Sequence, residues 1–438
     1  MRVLWLTNHI LPEHASALGR QASHIGGWMP ALADALAATG EMELGIATNV
    51  PGCPWSRKRI RDKSFFSIPM PAGRIDYSDL PRALVRGYRR VVDEFTPDII
   101  HVHGTEYFHG LLTGRKQLQR PAVVSIQGII DVCREHYYGG IPFIDLVTTR
   151  SLRDWACFDG LFEQKLGMTR RARWEREVFQ SNAAFIGRTQ WDMTHTRRMN
   201  PAARYYTCQE MLRPPFYETE WKIEDVKRHA IYASSASYPL KGFHVLLKAV
   251  SLLHRDFPDI QLSVPSAGFY HAASGMRYFW KSIRSGGYAR YLTKVIEKEG
   301  LRDHVRSLGV LDAAQVADEL RRAHIFVLPS FIENSPISLA EAMCVGTPSV
   351  ASFVGGVPSM VSDGVSALCF TGNDPAVLAE QIRRIFTSDH LARKLSYQAK
   401  IIGLRRHSKE TIVSNTLDIY RKEIDVQNNQ ATRMASGI

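Results

Sequence analysis

The stretch Pro329-Ser330-Phe331-Ile332-Glu333-Asn334-Ser335-Pro336-Ile337-Ser338-Leu339-Ala340-Glu341-Ala342-Met343 follows a short apolar run, His324 to Leu328. The run is bounded by Pro329 and predicts a buried strand. Ser335 is a suitable N-cap and Pro336 suits the first helical position, so we expect a helix to about Cys344, ended by Gly346. A strand, a polar loop and a capped helix place backbone N–H groups and a positive helix end at the carboxyl edge of a sheet, where α/β proteins hold anionic ligands.

Two carboxylates lie in this anion-binding region. Glu333 is in the loop, and Glu341 is on the helix with its side chain tilted back toward the N-terminus. A carboxylate there would repel a phosphate unless it reaches past it, and glutamate accepts hydrogen bonds well from sugar hydroxyls. A ligand with a diphosphate in the middle and a sugar at each end meets both conditions, so the pattern predicts a nucleotide-sugar. The alternative is an ordinary capped helix with a stabilising glutamate in its early turns.

The spacing of Glu333 and Glu341 resembles the E-x7-E pattern of the retaining glycosyltransferases of family 4, which have the GT-B fold. The flanking residues carry the same resemblance: Pro329-Ser330, Glu341-Ala342-Met343, Gly346-Thr347-Pro348, Val354-Gly355-Gly356-Val357-Pro358 and Asp363-Gly364. The resemblance implies that Glu341 binds the ribose hydroxyls and Glu333 the transferred sugar. The backbone beside that sugar would be that of Asn334, Ser335, Pro336 and Ile337.

The segment Pro239-Leu240-Lys241-Gly242-Phe243 resembles the second donor signature of the family. Lys241 would then neutralise the donor diphosphate. The arginine that usually precedes this lysine is absent, because its expected place falls at or near Ser235-Ala236. Either another arginine, such as Arg188 or Arg306, replaces it, or Lys241 and helix N-termini hold the phosphate alone. The resemblance also places the nucleotide base against the backbone of a strand and loop that contain Gly309 and Val310.

The first half of the chain supplies the other candidate site residues. Gly26-Gly27 occupies the place of the family's glycine pair, which allows the backbone to approach the donor closely. His101 and His103 face the same side of a predicted strand, with Glu106 beyond its end, and they indicate either acceptor binding or structural histidines. Many family members have histidine before the glycine of the next strand, where this chain has Gln127. The change removes a titratable group but keeps a hydrogen-bonding side chain.

Strands that end in glycine or polar residues alternate with helices, which predicts an α/β fold with parallel, doubly wound sheets. The resemblance specifies two Rossmann-like domains facing across a cleft. We expect an acceptor-side domain over 1–214, a donor-binding domain over 215–408, a helix over 409–426 crossing back to the first domain, and a tail over 427–438. The segment from Cys133 to Trp174 is rich in aromatic and basic residues. Helices that cover the first sheet are preferred for it over a lipid- or acceptor-facing element.

Composition narrows the class of partner. The chain has 438 residues and a net charge of +12, which indicates an anionic partner. There is no basic stripe interleaved with aromatics, so a nucleic acid is not expected. The six cysteines form no CxxC pair, and a reducing compartment is the default. There is neither an apolar run of membrane-spanning length nor a D-x-D motif for a metal, so neither a membrane span nor a metal or other cofactor is expected.

We therefore expect a metal-independent, retaining hexosyltransferase that uses a nucleotide-sugar, with UDP favoured over GDP, and a saccharide or lipid-linked saccharide acceptor. Its candidate catalytic residues are Glu333, Lys241, Gln127 and His103. The resemblance implies surface polysaccharide assembly in the cytoplasm, at the inner face of an anionic membrane. The alternatives are a GT-B binding subunit that has lost its catalysis and a GT-B nucleotide-sugar epimerase.

Overall fold

The structure is a computed structural model that describes residues 1–21, 27–71, 75–265, 269, 276, 285–371 and 373–436, with side chains described as far as 429. The described chain divides into two compact units. The first contains 1–131, 170–212 and the residues from His407 onward, and the second contains 132–169 and 213–406.

In the first unit, eight of the described strands form one sheet in the order β3-β4-β2-β1-β5-β6-β7-β8. Every pair is parallel except β3 with β4. The strands are β1 (Arg2–Thr7), β2 (Glu43–Val50), β3 (Ser56–Ile60), β4 (Lys63–Pro69), β5 (Ile99–His103), β6 (Ala122–Ser125), β7 (Ala184–Gly187) and β8 (Arg204–Thr207). The central strands are buried almost throughout, as expected when helices cover both faces of a parallel sheet.

Helices of the first half connect these strands or lie between them in sequence. They are α1 (Pro12–Ala17), α2 (Trp28–Ala38), α3 (Arg82–Phe95), α4 (His109–Gly114), α5 (Ile130–Cys133), α6 (Phe143–Thr148), α7 (Leu152–Cys157), α8 (Leu161–Ser181) and α9 (Gln190–Met199). Two of the four boundaries between the units fall within α5 and α8, and α6 and α7 belong to the second unit.

In the second unit, six of the described strands form a wholly parallel sheet in the order β11-β10-β9-β12-β13-β14. They are β9 (Lys227–Tyr232), β10 (Gln261–Val264), β11 (Val305–Ser307), β12 (Ala323–Leu328), β13 (Ser349–Ser352) and β14 (Leu368–Phe370). The helices that follow α9 in sequence are α10 (Pro215–Glu218), α11 (Phe243–Leu253), α12 (Gly287–Lys298), α13 (Ala313–Arg322), α14 (Ile337–Val345), α15 (Pro375–Phe386), α16 (Asp389–Arg406) and α17 (Lys409–Ser436). Short 3₁₀ turns occur at Arg134–His136, Ile223–Asp225, Pro239–Lys241 and Val357–Ser359.

The predicted fold class is confirmed: both units are α/β, with predominantly or wholly parallel sheets. The division of the chain differs from a single boundary at 214, because residues 132–169 group with the second unit. For residues 133–169 this differs from the preferred interpretation, that the segment from Cys133 to Trp174 covers the first sheet, while residues 170–174 group with the first unit. The residues from His407 onward group with the first unit. The connection from Gly268 to Gly300 is longer than usual, and the sequence predicts helices within it. Much of it lies outside the described residues, and α12 is the helix described there.

Candidate functional site

The loop between β12 and α14 has the predicted strand–loop–helix order, with one shift at the start of the helix. The helix begins at Ile337 with Pro336 as its N-cap, and no side chain caps it. The prediction that Ser335 is the cap is wrong, because its hydroxyl instead lies 3.7 Å from the sulfur of Met360. Gly346 ends the helix in the left-handed conformation and donates to the carbonyl of Ala342, as expected.

Two glycines hold this loop in place by close backbone contacts. A Cβ on Gly242 would lie 1.9 Å from the carbonyl oxygen of Pro329, and a Cβ on Gly355 would lie 2.0 Å from that of Glu333. Both glycines have positive φ, so a side chain would also strain the backbone. The neighbouring Gly356 N–H donates to the Glu333 carbonyl at 2.9 Å. These contacts fix the backbone from which the Glu333 side chain projects.

Lys241 and Glu333 meet at the carboxyl edge of the second sheet, where the adjacent strands β9 and β12 end. Lys241 Nζ donates to Glu333 Oε1 at 2.6 Å, and the Ser330 hydroxyl donates to the same oxygen at 2.7 Å. Burial lowers the pKa of Lys241, but the Glu333 carboxylate outweighs it, and the net pKa is raised. Lys241 is therefore a fixed positive charge beside a carboxylate, as binding both a phosphate and a sugar hydroxyl would require.

Glu341 lies in the second turn of α14 and is almost wholly buried. Arg213 Nη2 donates to Glu341 Oε1 at 2.8 Å. Burial raises the pKa of the Glu341 carboxyl, and Arg213 opposes that shift. Arg213 was not predicted as a site residue, because the sequence Leu212-Arg213-Pro214-Pro215 indicates a linker. The sequence signal that could have identified it is an arginine at a domain boundary in a chain that lacks the expected arginine near Ala236.

The other predicted donor residues of the second unit are spread over several loops. Asn334 is buried, and Ile337 opens α14 with its N–H in the unsatisfied first turn. Gly309 has a positive φ and is followed by an exposed Val310. Arg306, one proposed replacement for the missing arginine, is exposed on the edge strand β11. Two strands separate β11 from β12, so its backbone is about 14 Å from that of β12.

The predicted residues of the first unit lie on strands that end at one edge of its sheet. His101 Nδ1 and Nε2 are hydrogen-bonded to Tyr420 Oη and Ser125 Oγ, each at 2.6 Å. Burial, with a smaller effect of Arg188, lowers the pKa of His101 to about 3. His103 packs against the Trp5 ring at 4.4 Å between centroids, and burial lowers its pKa as well. Burial thus favours the neutral form of both rings. His101 is hydrogen-bonded through both ring nitrogens, whereas those of His103 are buried without a hydrogen-bond partner among the described residues, so the role of His103 in acceptor binding stays a prediction.

Gln127 and Arg188 belong to a buried network at the same edge. Arg188 Nη2 lies 2.6 Å from Glu210 Oε1, and both side chains are almost wholly buried. With the Gln127 amide oriented by its neighbours, its nitrogen donates to Glu210 Oε1 at 3.0 Å and its oxygen accepts from Arg188 at 3.3 Å. Arg188 was one of the alternatives for the missing donor-binding arginine. The structure gives its charge a carboxylate partner within the first unit.

Glu106 and Glu175 form a second polar group in the first unit. Glu106 was predicted as a site residue and Glu175 was not. Glu175 Oε1 accepts from the Thr105 hydroxyl at 2.7 Å, and its Oε2 accepts from the Asp131 amide at 2.9 Å. Burial raises the pKa of Glu175 to about 7, and Glu106 adds to that shift. Burial also raises the pKa of Glu106. Glu175 sits in the middle of α8, where its sequence context does not distinguish it from a solvated helix residue.

Gly26 lies outside the described residues, and Gly27 immediately precedes α2. Within the described ranges, no group of three or more histidine, cysteine, aspartate or glutamate residues is placed to hold a metal ion. Among the same residues, we find no helix that combines the length and the apolar character needed to cross a membrane.

Comparison with known proteins gives two family matches. Residues 218–401 match the family described as "Glycosyl transferases group 1", and residues 25–207 match the "Glycosyl transferase 4-like domain". Each match covers one of the two predicted domains, and together with the fold they support a GT-B glycosyltransferase.

Similar proteins agree with this class. A D-inositol 3-phosphate glycosyltransferase of Streptomyces avermitilis is 32% identical over 188 residues, which cover 42% of this chain and 37% of that protein. One from Paenarthrobacter aurescens is 30% identical over 189 residues, covering 42% of each chain. The matches thus span about two fifths of the length of these relatives.

Solved structures match nearly the whole chain. Sucrose-phosphate synthase from Thermosynechococcus elongatus superposes with a TM-score of 0.71 at 18% identity, covering 97% of this chain and all of that one. HepE of Anabaena, solved in complex with UDP-glucose, gives a TM-score of 0.65 at 17% identity, covering 95% of this chain and 99% of that one. At these identities the likeness establishes the GT-B fold alone.

Proposed function

We propose that the protein transfers a glycosyl group from a nucleotide-sugar to a saccharide or lipid-linked saccharide, with retention of configuration and without a metal ion. The observation that carries the proposal is the pair of glutamates at the carboxyl edge of the second sheet, each held by its own cation. Glu333 is paired with Lys241 and Glu341 with Arg213. A UDP-sugar is the favoured donor, and the UDP-glucose complex of the similar HepE fold supports that choice.

The roles follow from the chemistry of each group. Glu341 accepts hydrogen bonds from the ribose hydroxyls, and Glu333 accepts them from the transferred sugar. Lys241 and the open N-terminal turn of α14 neutralise the charge that develops on the leaving diphosphate. The acceptor hydroxyl attacks from the face that the diphosphate leaves, and a diphosphate oxygen takes its proton. No carboxylate is assigned as a covalent nucleophile, which a double displacement would require.

The transfer assay uses UDP-glucose, UDP-N-acetylglucosamine and GDP-mannose labelled in the sugar, with a lipid extract and a saccharide fraction as acceptors and EDTA throughout. We expect label in a product from one donor, with loss of at least about a hundredfold in Glu333→Gln. Transfer that requires an added divalent cation would contradict the metal-free mechanism. Nucleotide binding without transfer or hydrolysis would favour the binding subunit, and an altered nucleotide-sugar formed without acceptor would favour the epimerase.

We also propose that the protein works at the cytoplasmic face of an anionic membrane in surface polysaccharide biosynthesis. The segment from α6 to α8 exposes large apolar side chains, with Phe143 at 71%, Leu152 at 74% and Phe158 at 70% of full exposure. Transfer of exposed apolar side chains of this kind from water into lipid lowers the free energy, so they favour membrane binding. The net charge of +12 complements anionic headgroups.

Vesicle co-sedimentation tests this location. Wild type should bind vesicles that contain phosphatidylglycerol more strongly than pure phosphatidylcholine vesicles. The variant Phe143→Ser/Phe158→Ser should lose at least about tenfold in binding, while Tyr397→Ser, which removes an exposed ring on α16, should not. Equal binding by all three proteins would contradict the assignment of this surface.

A further inference from the structure

We propose that Arg213 is a positioning residue that holds the Glu341 carboxylate in place as the acceptor for the ribose hydroxyls of the nucleotide. The inference rests on the proposed function, since it assigns a partner to the glutamate that binds the ribose. It concerns a residue outside both donor signatures of the sequence.

The backbone around Arg213 is unusually restrained for a connecting segment. Pro214 and Pro215 follow it directly, and α10 starts at Pro215 with Pro214 as its N-cap. The Arg213 carbonyl accepts from the Phe216 amide at 3.2 Å, and its guanidinium lies over the Phe216 ring at 5.1 Å. These contacts restrain Arg213, so its guanidinium is already positioned against Glu341. Less conformational entropy of this side chain is then lost when the ligand binds.

The contact uses one carboxylate oxygen and leaves the other available. Arg213 Nη2 bonds Glu341 Oε1 at 2.8 Å, and Glu341 Oε2 makes no hydrogen bond within the described part of the chain. The pair Arg204–Glu423 in the first unit is different, because two parallel hydrogen bonds of 2.8 and 2.7 Å occupy both oxygens. A one-point contact orients a carboxylate and leaves its second oxygen wholly open to a ligand. A two-point contact engages both oxygens and leaves only their remaining lone pairs, one of which on Glu423 accepts from the Tyr206 hydroxyl.

The surroundings of Glu341 otherwise disfavour its charged form. Burial raises the pKa of its carboxyl, and Arg213 is the charged group that opposes the shift. The other titratable groups facing it are the Tyr232 phenol on β9 and the Cys344 thiol on α14, whose pKa values burial and Glu341 raise. Both stay neutral over the working pH range. Without Arg213, the carboxyl would be protonated over a wider range of pH, and it would lose acceptor capacity.

The test compares nucleotides with and without ribose hydroxyls by calorimetric titration of the full chain. The probes are UDP and GDP and their 2′,3′-dideoxy forms, and the variants are Arg213→Met, Arg213→Lys, Glu341→Gln and the double variant Arg213→Met/Glu341→Gln. We expect Arg213→Met to weaken binding of the favoured nucleotide at least about tenfold at pH 7 and to leave its dideoxy form unchanged. Raising the pH should partly restore nucleotide binding by Arg213→Met. Arg213→Lys should bind the nucleotide more tightly than Arg213→Met does.

The double variant should bind no more weakly than Glu341→Gln alone, because Arg213 acts through Glu341. The matched control is Arg228→Met, which removes another arginine–carboxylate pair of the second unit, with Asp389 at 2.8 Å, and should not change binding. Equal weakening of the ribose and dideoxy nucleotides would overturn the inference, as would additive losses in the double variant. Wild type that binds neither nucleotide would overturn the proposed function, and the inference with it.

Discussion

The carboxyl edges of the two sheets both carry glutamates paired with cations, but the pairs differ in exposure. In the first unit, the side chains of Arg188 and Glu210 are 3% and 5% exposed. In the second, those of Lys241 and Arg213 are 24% and 25% exposed, while their glutamates are more deeply buried. A pair whose cation is partly open to solvent lies within reach of a ligand. A sealed pair is out of reach, and removing one of its partners leaves a buried charge uncompensated. Similar charge pairs thus differ in their access to solvent, and the proposed function assigns the nucleotide to the more open pairs of the second unit.

The largest expected effect comes from breaking the sealed pair. Arg188→Met should lower the free energy of unfolding by about 3–5 kcal/mol, because it leaves Glu210 charged, buried and without its main partner. Lys241→Met should cost less than about 2 kcal/mol, since Glu333 keeps the Ser330 hydrogen bond and access to water. Urea denaturation measures both. The double variant Arg188→Met/Glu210→Met should recover most of the stability lost in Arg188→Met. Equal losses of stability in Arg188→Met and Lys241→Met would contradict the distinction between the two edges.

The pH dependence of stability sharpens the comparison from the first unit. Glu175 has a pKa of about 7 in the folded chain and a reference value of 4.5. Between these values the folded protein keeps a proton that the unfolded chain releases, so stability falls as pH rises from about 4.5 to about 7 and is constant above. Glu175→Gln lacks this loss, and its stability relative to wild type should rise by about 3 kcal/mol between pH 4.5 and 8.

Urea midpoints at several pH values between 4.5 and 8 measure this difference. Glu177→Gln is the control on the same helix, since the Glu177 carboxylate is hydrogen-bonded to Arg115, which lowers its pKa. That variant should not gain stability over wild type as pH rises. A Glu175→Gln curve parallel to that of wild type would show that the buried carboxyl does not titrate in this range.

A smaller effect is expected from the loop of the second unit. Gly355→Ala and Gly364→Ala both place alanine at positive φ, which costs about 1–2 kcal/mol. A Cβ on Gly364 meets nothing within 4 Å, whereas one on Gly355 meets the Glu333 carbonyl. Gly355→Ala should therefore cost about 1–3 kcal/mol more in thermal or urea unfolding. It should also weaken nucleotide binding, which Gly364→Ala should leave intact. Identical behaviour of the two variants would mean that Gly355 does not fix the loop.

The sequence was most informative where a local pattern determines structure. Apolar runs that end in glycine or polar residues are a local signal, and they mark the parallel strands β1, β2, β5, β6 and β7 and those of the second sheet in the sequence itself. The hairpin β3–β4 was missed, since Arg57-Lys58-Arg59 on the exposed edge strand β3 indicates a basic loop. The pairing of Glu341 with Arg213 joins residues 128 positions apart, and no local spacing reveals it.

The segment 132–169 shows a second kind of limit on prediction from sequence. Its helical periodicity is loose, and the pattern of a helix that packs on a sheet is the same whichever sheet the helix joins. Its exposed side chains Phe143, Leu152 and Phe158 differ from core residues only in the folded structure.

The central claim is that the second unit binds the nucleotide through Glu341. Thermal unfolding of the full chain with UDP, GDP, ADP and their sugar conjugates, in wild type and Glu341→Ala, tests it most directly. We expect one nucleotide to raise the Tm of wild type, since a ligand at a hundred times its Kd adds about 2.7 kcal/mol of stability. The same nucleotide should have little effect on Glu341→Ala. Folded wild type that no nucleotide stabilises, or an equal shift in both proteins, would contradict the claim.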